Sequence, residues 1–256
     1  MIKVLLERFK QGYRTVGFPK TEPSLPDLFR GYPQINNSAC DDKCNLCEQV
    51  CPTKAILREN NKIKIDLGRC LFCPECEQVC PQNAIKFTRD YRLAASKRSD
   101  LVIGEKERAL AEALEEKTRK LFGRSLKLRQ VSAGGCNACE ADINVLSTVV
   151  FDLGRFGIQI VASPRHSDGL IITGPVTQNM KLALQKTYEA VPEPKIVIAV
   201  GACAISGGPF INHGEVNNGA DSLIPVDLYI PGCPPHPITI LDGLLRLLGK
   251  IEKERH

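Results

Sequence analysis

The sequence lacks tryptophan altogether, has only 5% aromatic residues, and scatters its basic residues instead of grouping them. Nucleic-acid binding, which combines basic grooves with aromatic stacking platforms, is therefore not expected. No stretch approaches the ~18 consecutive apolar residues that a membrane span requires, so we expect no transmembrane helix. The first residues, MIKVLLERFKQG, lack the long apolar run, cleavage site and twin arginine of export signals, so we expect no signal peptide.

Cysteine, in contrast, is abundant, with twelve residues in a chain of 256. In a chain without an export signal, so many cysteines indicate metal ligands in a reducing compartment and not a secreted disulfide framework. The formal net charge of +5 counts every cysteine as neutral. Because metal-bound thiolates are anionic, the metal-loaded protein is less basic than this sum implies.

Eight of the cysteines belong to two copies of one phrase, CNLCEQVCPTKAI at residues 44–56 and CPECEQVCPQNAI at residues 73–85. In such repeats three closely spaced thiolates bind one 4Fe-4S cluster, and the fourth, before proline, binds the other cluster. The first copy departs from this spacing, because three residues and not two separate its leading cysteine from the next. We predict one cluster on Cys40, Cys44, Cys47 and Cys80, and another on Cys51, Cys70, Cys73 and Cys76.

Zinc sites or disulfides are the alternative explanation of this repeat. A zinc site takes its four ligands without one repeat lending a cysteine to the site of the other, and zinc binding does not explain the Cys-Pro endings. The pattern therefore favours a two-cluster ferredoxin module of α+β fold over residues 40–92. The clusters would supply most of its folding free energy, because so small a module has little apolar core.

Residues 1–39 precede this module. Ile2, Leu5, Leu6, Phe9 and Tyr13 recur at helical spacing and predict a short amphipathic helix. A proline-rich stretch follows, which we expect to be extended and to lie along a partner. The helix is either a docking element against a membrane subunit or an ordinary surface helix covering its own domain.

Residues 93–124 form a charged connector. Its leucines fall on one stripe among Glu, Lys and Arg, which predicts a helical linker that ends at Gly123. We interpret it as a solvated spacer.

Residues 125–256 alternate apolar runs with helical stretches, which predicts a parallel sheet covered on both faces, an α/β domain of flavodoxin-like type. The last four cysteines each follow the carboxyl end of a predicted strand, where open α/β sheets bind their ligands. A third 4Fe-4S cluster is the prediction, with a zinc site as the weaker alternative. These cysteines are Cys136, Cys139, Cys203 and Cys233.

Four phrases of this domain identify a family: GGCNACE, SPRHSDGLIITGPVT, GACAISGG and VDLYIPGCPPHP. They resemble the small subunit of energy-converting nickel–iron hydrogenases, the formate-hydrogenlyase-type enzymes related to respiratory complex I. Residues 9–101 resemble the two-cluster ferredoxin subunit of the same complexes. The chain departs from those complexes in joining two normally separate subunits.

The resemblance implies an electron-transfer subunit of a membrane-associated oxidoreductase on the cytoplasmic face of the cell membrane, without catalytic residues of its own. Cys136, Cys139, Cys203 and Cys233 would hold the proximal cluster, nearest the large subunit. Their Cys-x-x-Cys start is that of the hydrogenases, whereas the complex I counterpart begins with adjacent cysteines. Nickel would lie on that large subunit, because three clusters use all twelve cysteines. Electrons would come from a soluble donor or a dehydrogenase.

Two alternatives stay open. The partner subunit could reduce quinone or sulfur species without nickel. A free ferredoxin carrier is disfavoured, because a mobile carrier needs no α/β domain with a cluster at its strand ends. NAD binding is rejected, because no G-x-G-x-x-G follows a strand.

Several neighbours of the cysteines are weaker candidates. Glu140 could carry protons or tune the cluster, or serve only as a carboxylate at a helix N-terminus. Arg165 and His166 could hydrogen-bond cluster sulfurs or the large subunit, or serve a purely structural role. Close approach of backbone to the cluster is predicted at five glycines. These glycines are Gly134, Gly135, Gly207, Gly208 and Gly232.

Overall fold

The computed structural model describes residues 2–41, 43–105 and 109–251. Within these residues no helix is long and apolar enough to cross a bilayer. The chain begins with helix α1, Ile2–Gln11, none of whose residues is buried. Its apolar side chains are therefore exposed to solvent, most of all Phe9 at 84%.

The stretch after α1 was expected to lie along a partner, but it packs on the chain's own C-terminal part. The Val16 amide donates to the Val150 carbonyl oxygen, and the Arg155 guanidinium donates to the carbonyl oxygens of Val16 and Phe18. Phe18 is buried and its ring contacts Tyr91 edge to face. An apolar side chain directly before the first proline thus anchors this stretch internally.

The ferredoxin module contains two short helices, and its strands form two small antiparallel sheets with β1 from the preceding stretch and β5 from the connector. One sheet pairs β1 with β4, and the other has the order β2-β3-β5. Asn60 and Asn61 both have positive φ and close the two-residue hairpin between β2 and β3, as type I′ turns require. Helices α2 and α3 pack against each other. The bounds are β1 Pro33–Ile35, α2 Leu46–Val50, β2 Ile56–Glu59, β3 Lys62–Asp66, α3 Glu75–Gln78, β4 Ile85–Phe87 and β5 Val102–Ile103.

The connector differs from the prediction of a long solvated helix. Its helix, α4, is restricted to Glu116–Phe122, and residues 106–108 lie outside the described residues. Upstream of α4, the Ala111 amide donates to the Ala94 carbonyl oxygen and the Leu114 amide to the Leu247 carbonyl oxygen. These tertiary hydrogen bonds hold the connector against the segments of Ala94 and Leu247, and Ala111 is buried there. They take the place of the hydrogen bonds of the helix that the sequence pattern predicted.

The C-terminal domain is built on five parallel strands in the order β10-β9-β8-β6-β7, which is the flavodoxin-like order and confirms the predicted α/β fold. Every residue of β8 and β9 is buried, as in a sheet covered on both faces. The bounds are β6 Leu126–Ser132, α5 Ala138–Val145, β7 Ile158–Ile160, β8 Gly169–Thr173, α6 Gln178–Ala190, β9 Ile196–Val200, α7 Ala202–Ser206, β10 Leu228–Ile230 and α8 Pro237–Leu247.

The ferredoxin module and the C-terminal domain share a buried core. Ile65 of the module and Leu101 of the connector belong to the same apolar cluster as Ile205 and Tyr229 of the C-terminal domain. Ala95 also forms an antiparallel bridge with Tyr229. The module is consequently held at one orientation against the end of the sheet that carries α7.

Candidate metal centres

The structure brings Cys51 of the first repeat together with three cysteines of the second. Burial raises the pKa of the Cys70 thiol, and charge on Cys76, Cys51 and Cys73 raises it further. Burial, together with charge on Cys73, Cys51 and Cys47, raises the pKa of Cys76 to about 12. The four side chains line one cavity. We call Cys51, Cys70, Cys73 and Cys76 the middle group.

This donor set fits an iron–sulfur cluster. Buried thiols whose neighbours repel their charge are unstable as thiolates unless a metal supplies positive charge. Among the residues described, no three His, Cys, Asp or Glu side chains converge as ligands of a single metal ion. A 4Fe-4S cluster instead binds each of four thiolates through a different iron atom.

Backbone amides donate to the sulfur atoms of the repeats at corresponding positions. The Ala55 amide lies 3.2 Å from Cys51 Sγ, and the Ala84 amide lies 3.2 Å from Cys80 Sγ. Each amide follows a residue with positive φ, Lys54 in the first copy and Asn83 in the second. The left-handed residue turns the next N–H toward the sulfur, so the Cys-Pro-x-x-Ala ending has a local structural reason.

Cys40, Cys44, Cys47 and Cys80 were predicted as the next ligand set, here called the distal group. Burial raises the pKa of Cys47 to about 11, with further increases from charge on Glu48 and Cys40, so Cys40 and Cys47 lie close together. Cys44 belongs to the turn between them. Cys80 is brought near by the packing of α2 on α3, and its place in this group stays a prediction.

The other four cysteines meet at the carboxyl edge of the parallel sheet. Burial raises the pKa of Cys139, and charge on Cys203, Glu140, Cys233 and Cys136 raises it further. Burial raises the pKa of Cys203 to about 12, again with Cys233 and Cys136 as neighbours. We call these four cysteines the edge group.

Local backbone geometry shapes the edge group. Asn137 has a φ of 72°, which bends the chain between Cys136 and the first turn of α5, where Cys139 lies. Asn tolerates this left-handed conformation better than most residues. Cys136 and Cys233 are exposed, whereas Cys139 and Cys203 are half-buried, so the group opens to the protein surface on one side.

Two glycines let the chain pass close to these sulfurs. A Cβ at Gly201 would lie 2.5 Å from Cys139 Sγ, and one at Gly208 would lie 2.8 Å from Cys203 Sγ; both residues have positive φ. Gly208 was among the glycines predicted to approach the cluster. Gly201 was missed, although its place between a buried strand and Cys203 was a usable signal.

Glu140 is 5% exposed and directly follows Cys139. Its Oε1 accepts hydrogen bonds from Ser132 Oγ and Thr173 Oγ1, each at 2.6 Å. The carboxylate therefore ties α5 to strands β6 and β8. Its position allows charge on Glu140 to raise the pKa values of Cys139 and Cys203.

Arg165 and His166 lie exposed in a short 3₁₀ turn after β7. In the part of the chain that the structure describes, neither side chain forms a hydrogen bond to a cysteine sulfur. A role for Arg165 and His166 at a cluster or a large subunit stays a prediction.

The middle and edge groups are adjacent. Burial raises the pKa of Cys233, and charge on Cys136 and then on Cys73 of the ferredoxin module raises it further. A cavity of about 270 Å³ lies beside this contact, lined by Phe72 and Leu71 from one part and Cys233 and His236 from the other. Burial lowers the pKa of His236, whose ring contacts Phe29 edge to face.

Comparison with known protein families gives two matches. Residues 39–84 match the 4Fe-4S dicluster domain, which confirms the prediction of an iron–sulfur module. Residues 136–247 match the NADH ubiquinone oxidoreductase 20 kDa subunit.

Individual relatives each match about half of the chain. A probable membrane-bound hydrogenase subunit of Pyrococcus furiosus is 44% identical over 134 residues, which are 52% of this chain and 80% of the relative. Formate hydrogenlyase subunit 7 of Escherichia coli is 44% identical over 137 residues, 54% of each chain. An NADH-quinone oxidoreductase subunit of Geotalea uraniireducens is 49% identical over 122 residues, 48% of this chain and 71% of the relative.

Proposed function

Because the chain belongs to the family of the NADH ubiquinone oxidoreductase 20 kDa subunit, we propose that it relays electrons through three 4Fe-4S clusters to a catalytic partner subunit. The distal, middle and edge groups of cysteines would each hold one cluster. Each cluster, when bound, accepts and releases one electron at a time. The chain is a subunit of an oxidoreductase, and it supplies no residue that makes or breaks substrate bonds.

The observation that carries this proposal is the order of the three groups. Cys76 of the middle group lies near Cys47 of the distal group, and Cys73 of the middle group lies near Cys233 of the edge group. The middle group therefore neighbours both other groups. This adjacency supports transfer from the ferredoxin module into the α/β domain.

The protein environment would keep the clusters protected from water and hold them in place. Cys47, Cys70 and Cys76 are buried, and backbone N–H groups of Ala55, Phe72 and Ala84 donate to ligand sulfurs. Hydrogen bonds of this kind stabilise the negative charge of the thiolates and of a reduced cluster. The exposed Cys136 and Cys233 would lie against the partner subunit that receives the electron.

We infer a nickel–iron large subunit as that partner. One relative is by name a probable membrane-bound hydrogenase subunit and another a formate hydrogenlyase subunit. The chain also shares the Cys136-x-x-Cys139 spacing that the hydrogenase resemblance implies. All twelve cysteines are assigned to the three groups, so a nickel site would need ligands from another chain. Membrane subunits would contact helix α1, the exposed part of residues 1–39, and a soluble donor or dehydrogenase would supply electrons to the distal group. The chain would then lie peripherally on the cytoplasmic face of the membrane.

A nickel-free partner that reduces quinone or sulfur species is the second candidate. It is favoured by the relative in Geotalea uraniireducens, which is a subunit of an NADH-quinone oxidoreductase. That relative is 49% identical to this chain over the matched residues, against 44% for each of the other two relatives.

Metal analysis of the anaerobically purified complex tests the proposal. We expect about twelve iron atoms per copy of this chain, with nickel present in the complex and absent from the isolated chain. Hydrogen evolution from a low-potential donor should require the whole complex. A complex that oxidises reduced ferredoxin without nickel would contradict the hydrogenase assignment and favour the nickel-free partner. Stoichiometric zinc, or a content of about eight iron atoms, would contradict a 4Fe-4S cluster at the edge group.

A further inference from the structure

Arg58 of strand β2 reaches the loop that carries the distal cysteines. Its Nη2 lies 3.6 Å from Cys40 Sγ and also donates to the Cys44 carbonyl oxygen. Its Nε donates to Glu48 Oε1 at 3.1 Å. The side chain is only 15% exposed, so the guanidinium is held among these partners and is partly shielded from water.

The second copy of the repeat has an apolar residue at the corresponding position. The two copies are 29 residues apart, as Cys44 and Cys73 show, and the same offset relates Arg58 to Phe87. Phe87 is 9% exposed, lines the cavity of the middle group, and packs on Phe72 with ring centroids 6.1 Å apart. One copy thus places a cation beside its cysteines where the other places a phenyl ring.

Both copies of the repeat contain the same glutamate, so this residue does not account for the difference between them. Glu48 corresponds to Glu77, which accepts a hydrogen bond from the Phe87 amide at 3.4 Å. In the first copy the carboxylate instead binds the guanidinium. The main difference at this position is therefore the positive charge and its N–H donors.

The longer spacing of the first copy gives Arg58 a second role. Three residues separate Cys40 from Cys44, whereas two separate Cys70 from Cys73. The guanidinium contacts Cys40 and Cys44 with one nitrogen, and its planar arrangement of donors suits simultaneous contacts in fixed directions. Arg58 thus connects the two ends of the lengthened loop.

We propose that Arg58 raises the reduction potential of the distal cluster. A cluster gains one negative charge on reduction, and a nearby cation that donates to a ligand sulfur stabilises that charge. Phe87, at the corresponding position of the second copy, provides no such stabilisation beside the middle group. Glu48 opposes the effect, because its carboxylate offsets part of the guanidinium charge.

This inference rests on the proposed function, since it requires clusters on the distal and middle groups. It is tested in the full chain, anaerobically purified with its clusters, by redox titration followed with electron paramagnetic resonance. Cys40→Ser assigns the distal signal, because it changes a ligand of that cluster alone. Arg58→Gln should shift the distal potential downward, leave the middle potential in place and keep the iron content. Lys64→Gln is the matched control, because it also removes a positive charge from the hairpin of Arg58. Lys64 forms its ion pair with Glu59 and not with a residue of the distal loop.

Glu48→Gln provides a second variant with the opposite sign. It keeps Arg58 and removes the opposing carboxylate, so the distal potential should shift upward. An unchanged distal potential in Arg58→Gln at full iron content would overturn the inference, and so would a downward or absent shift in Glu48→Gln. If Arg58→Gln loses iron, Glu48→Gln alone decides. A wild-type chain without two titrating ferredoxin clusters would contradict the proposed function itself.

Discussion

The Ser206 hydroxyl donates a hydrogen bond to the Gly68 carbonyl oxygen across 2.9 Å, joining the α/β domain to the ferredoxin module. Ser206 ends the short helix that carries Cys203, and Gly68 comes two residues before Cys70. One contact therefore connects a segment of the edge group with a segment of the middle group. The distance between the clusters proposed for these groups depends on it.

Replacing Gly68 by alanine should separate these segments. A Cβ at Gly68 would lie 2.7 Å from Ile205 Cγ2, so the backbone or Ile205 has to shift. Overpacking of this kind costs about 1–3 kcal/mol of unfolding free energy. Denaturant unfolding of the cluster-loaded chain measures the loss, and the magnetic interaction between the middle and edge clusters should weaken.

Gly104→Ala is the control for that substitution, because the nearest atom to its Cβ would be Lys64 Cγ at an ordinary 3.7 Å. We expect wild-type unfolding and wild-type cluster signals. Equal unfolding midpoints for Gly68→Ala and Gly104→Ala would show that the two domains do not depend on the close contact.

Gly201→Ala should remove the edge cluster selectively. The new Cβ would lie 2.5 Å from Cys139 Sγ, and a φ of 90° is unfavourable for alanine. Iron analysis should show a loss of about four of twelve atoms, with both ferredoxin signals retained. Gly214→Ala, with open space around its Cβ, should keep all the iron. Full iron in Gly201→Ala would show that the edge cluster tolerates the added Cβ, and would contradict this prediction.

Cys139→Ser should abolish electron transfer to the partner while both ferredoxin signals persist, because Cys139 belongs to the α/β domain. Cys203→Ser should likewise suppress donor-linked turnover without removing nickel from the complex. Turnover assays with resonance spectra of the same preparation check both variants. Disappearance of the ferredoxin signals in either variant would contradict the division into residues 40–92 and 125–256.

Asp242→Asn should be strongly destabilising. Arg246 Nε donates to Asp242 Oδ2 at 2.9 Å, and both side chains are almost fully buried in α8, at 5% and 2% exposure. Removing one member of a buried ion pair leaves the other charge without compensation, at a cost of about 3–5 kcal/mol. Unfolding midpoints measure the effect. Glu189→Gln, which breaks an exposed pair with Lys186, should change them little, and a similar shift in both variants would contradict the argument.

Deleting residues 2–13 should release the complex from its membrane subunits and leave the clusters assembled. Helix α1 buries none of its residues against the described part of the chain, so its apolar side chains are available to a partner. Phe9→Asn should weaken co-purification with the membrane subunits, whereas Lys3→Asn on the same helix should not. Retention of the membrane subunits by the deleted chain would assign α1 no docking role.

The cysteine pattern and the apolar strands allowed much of this molecule to be predicted from sequence. The spacing of cysteines in a motif is set by local turns, and strands buried on both faces are apolar at every position instead of every second one. Both patterns can therefore be recognised without knowledge of tertiary contacts. The connector was mispredicted because Ala111 and Leu114 bond to Ala94 and Leu247, partners remote in sequence. Arg58 escaped notice for the same reason, since only the folded hairpin brings it to Cys40.

The edge group also determines an order of maturation. Its four cysteines come from α5, α7 and the loops after β6 and β10, and the last of them is in place only when β10 has paired with β9. The repeats of the ferredoxin module, in contrast, are complete by Cys80. During synthesis the module's cysteines leave the ribosome first, so iron and sulfide can be inserted there before the sheet exists. The cluster proposed for the edge group could form only after the C-terminal domain has folded.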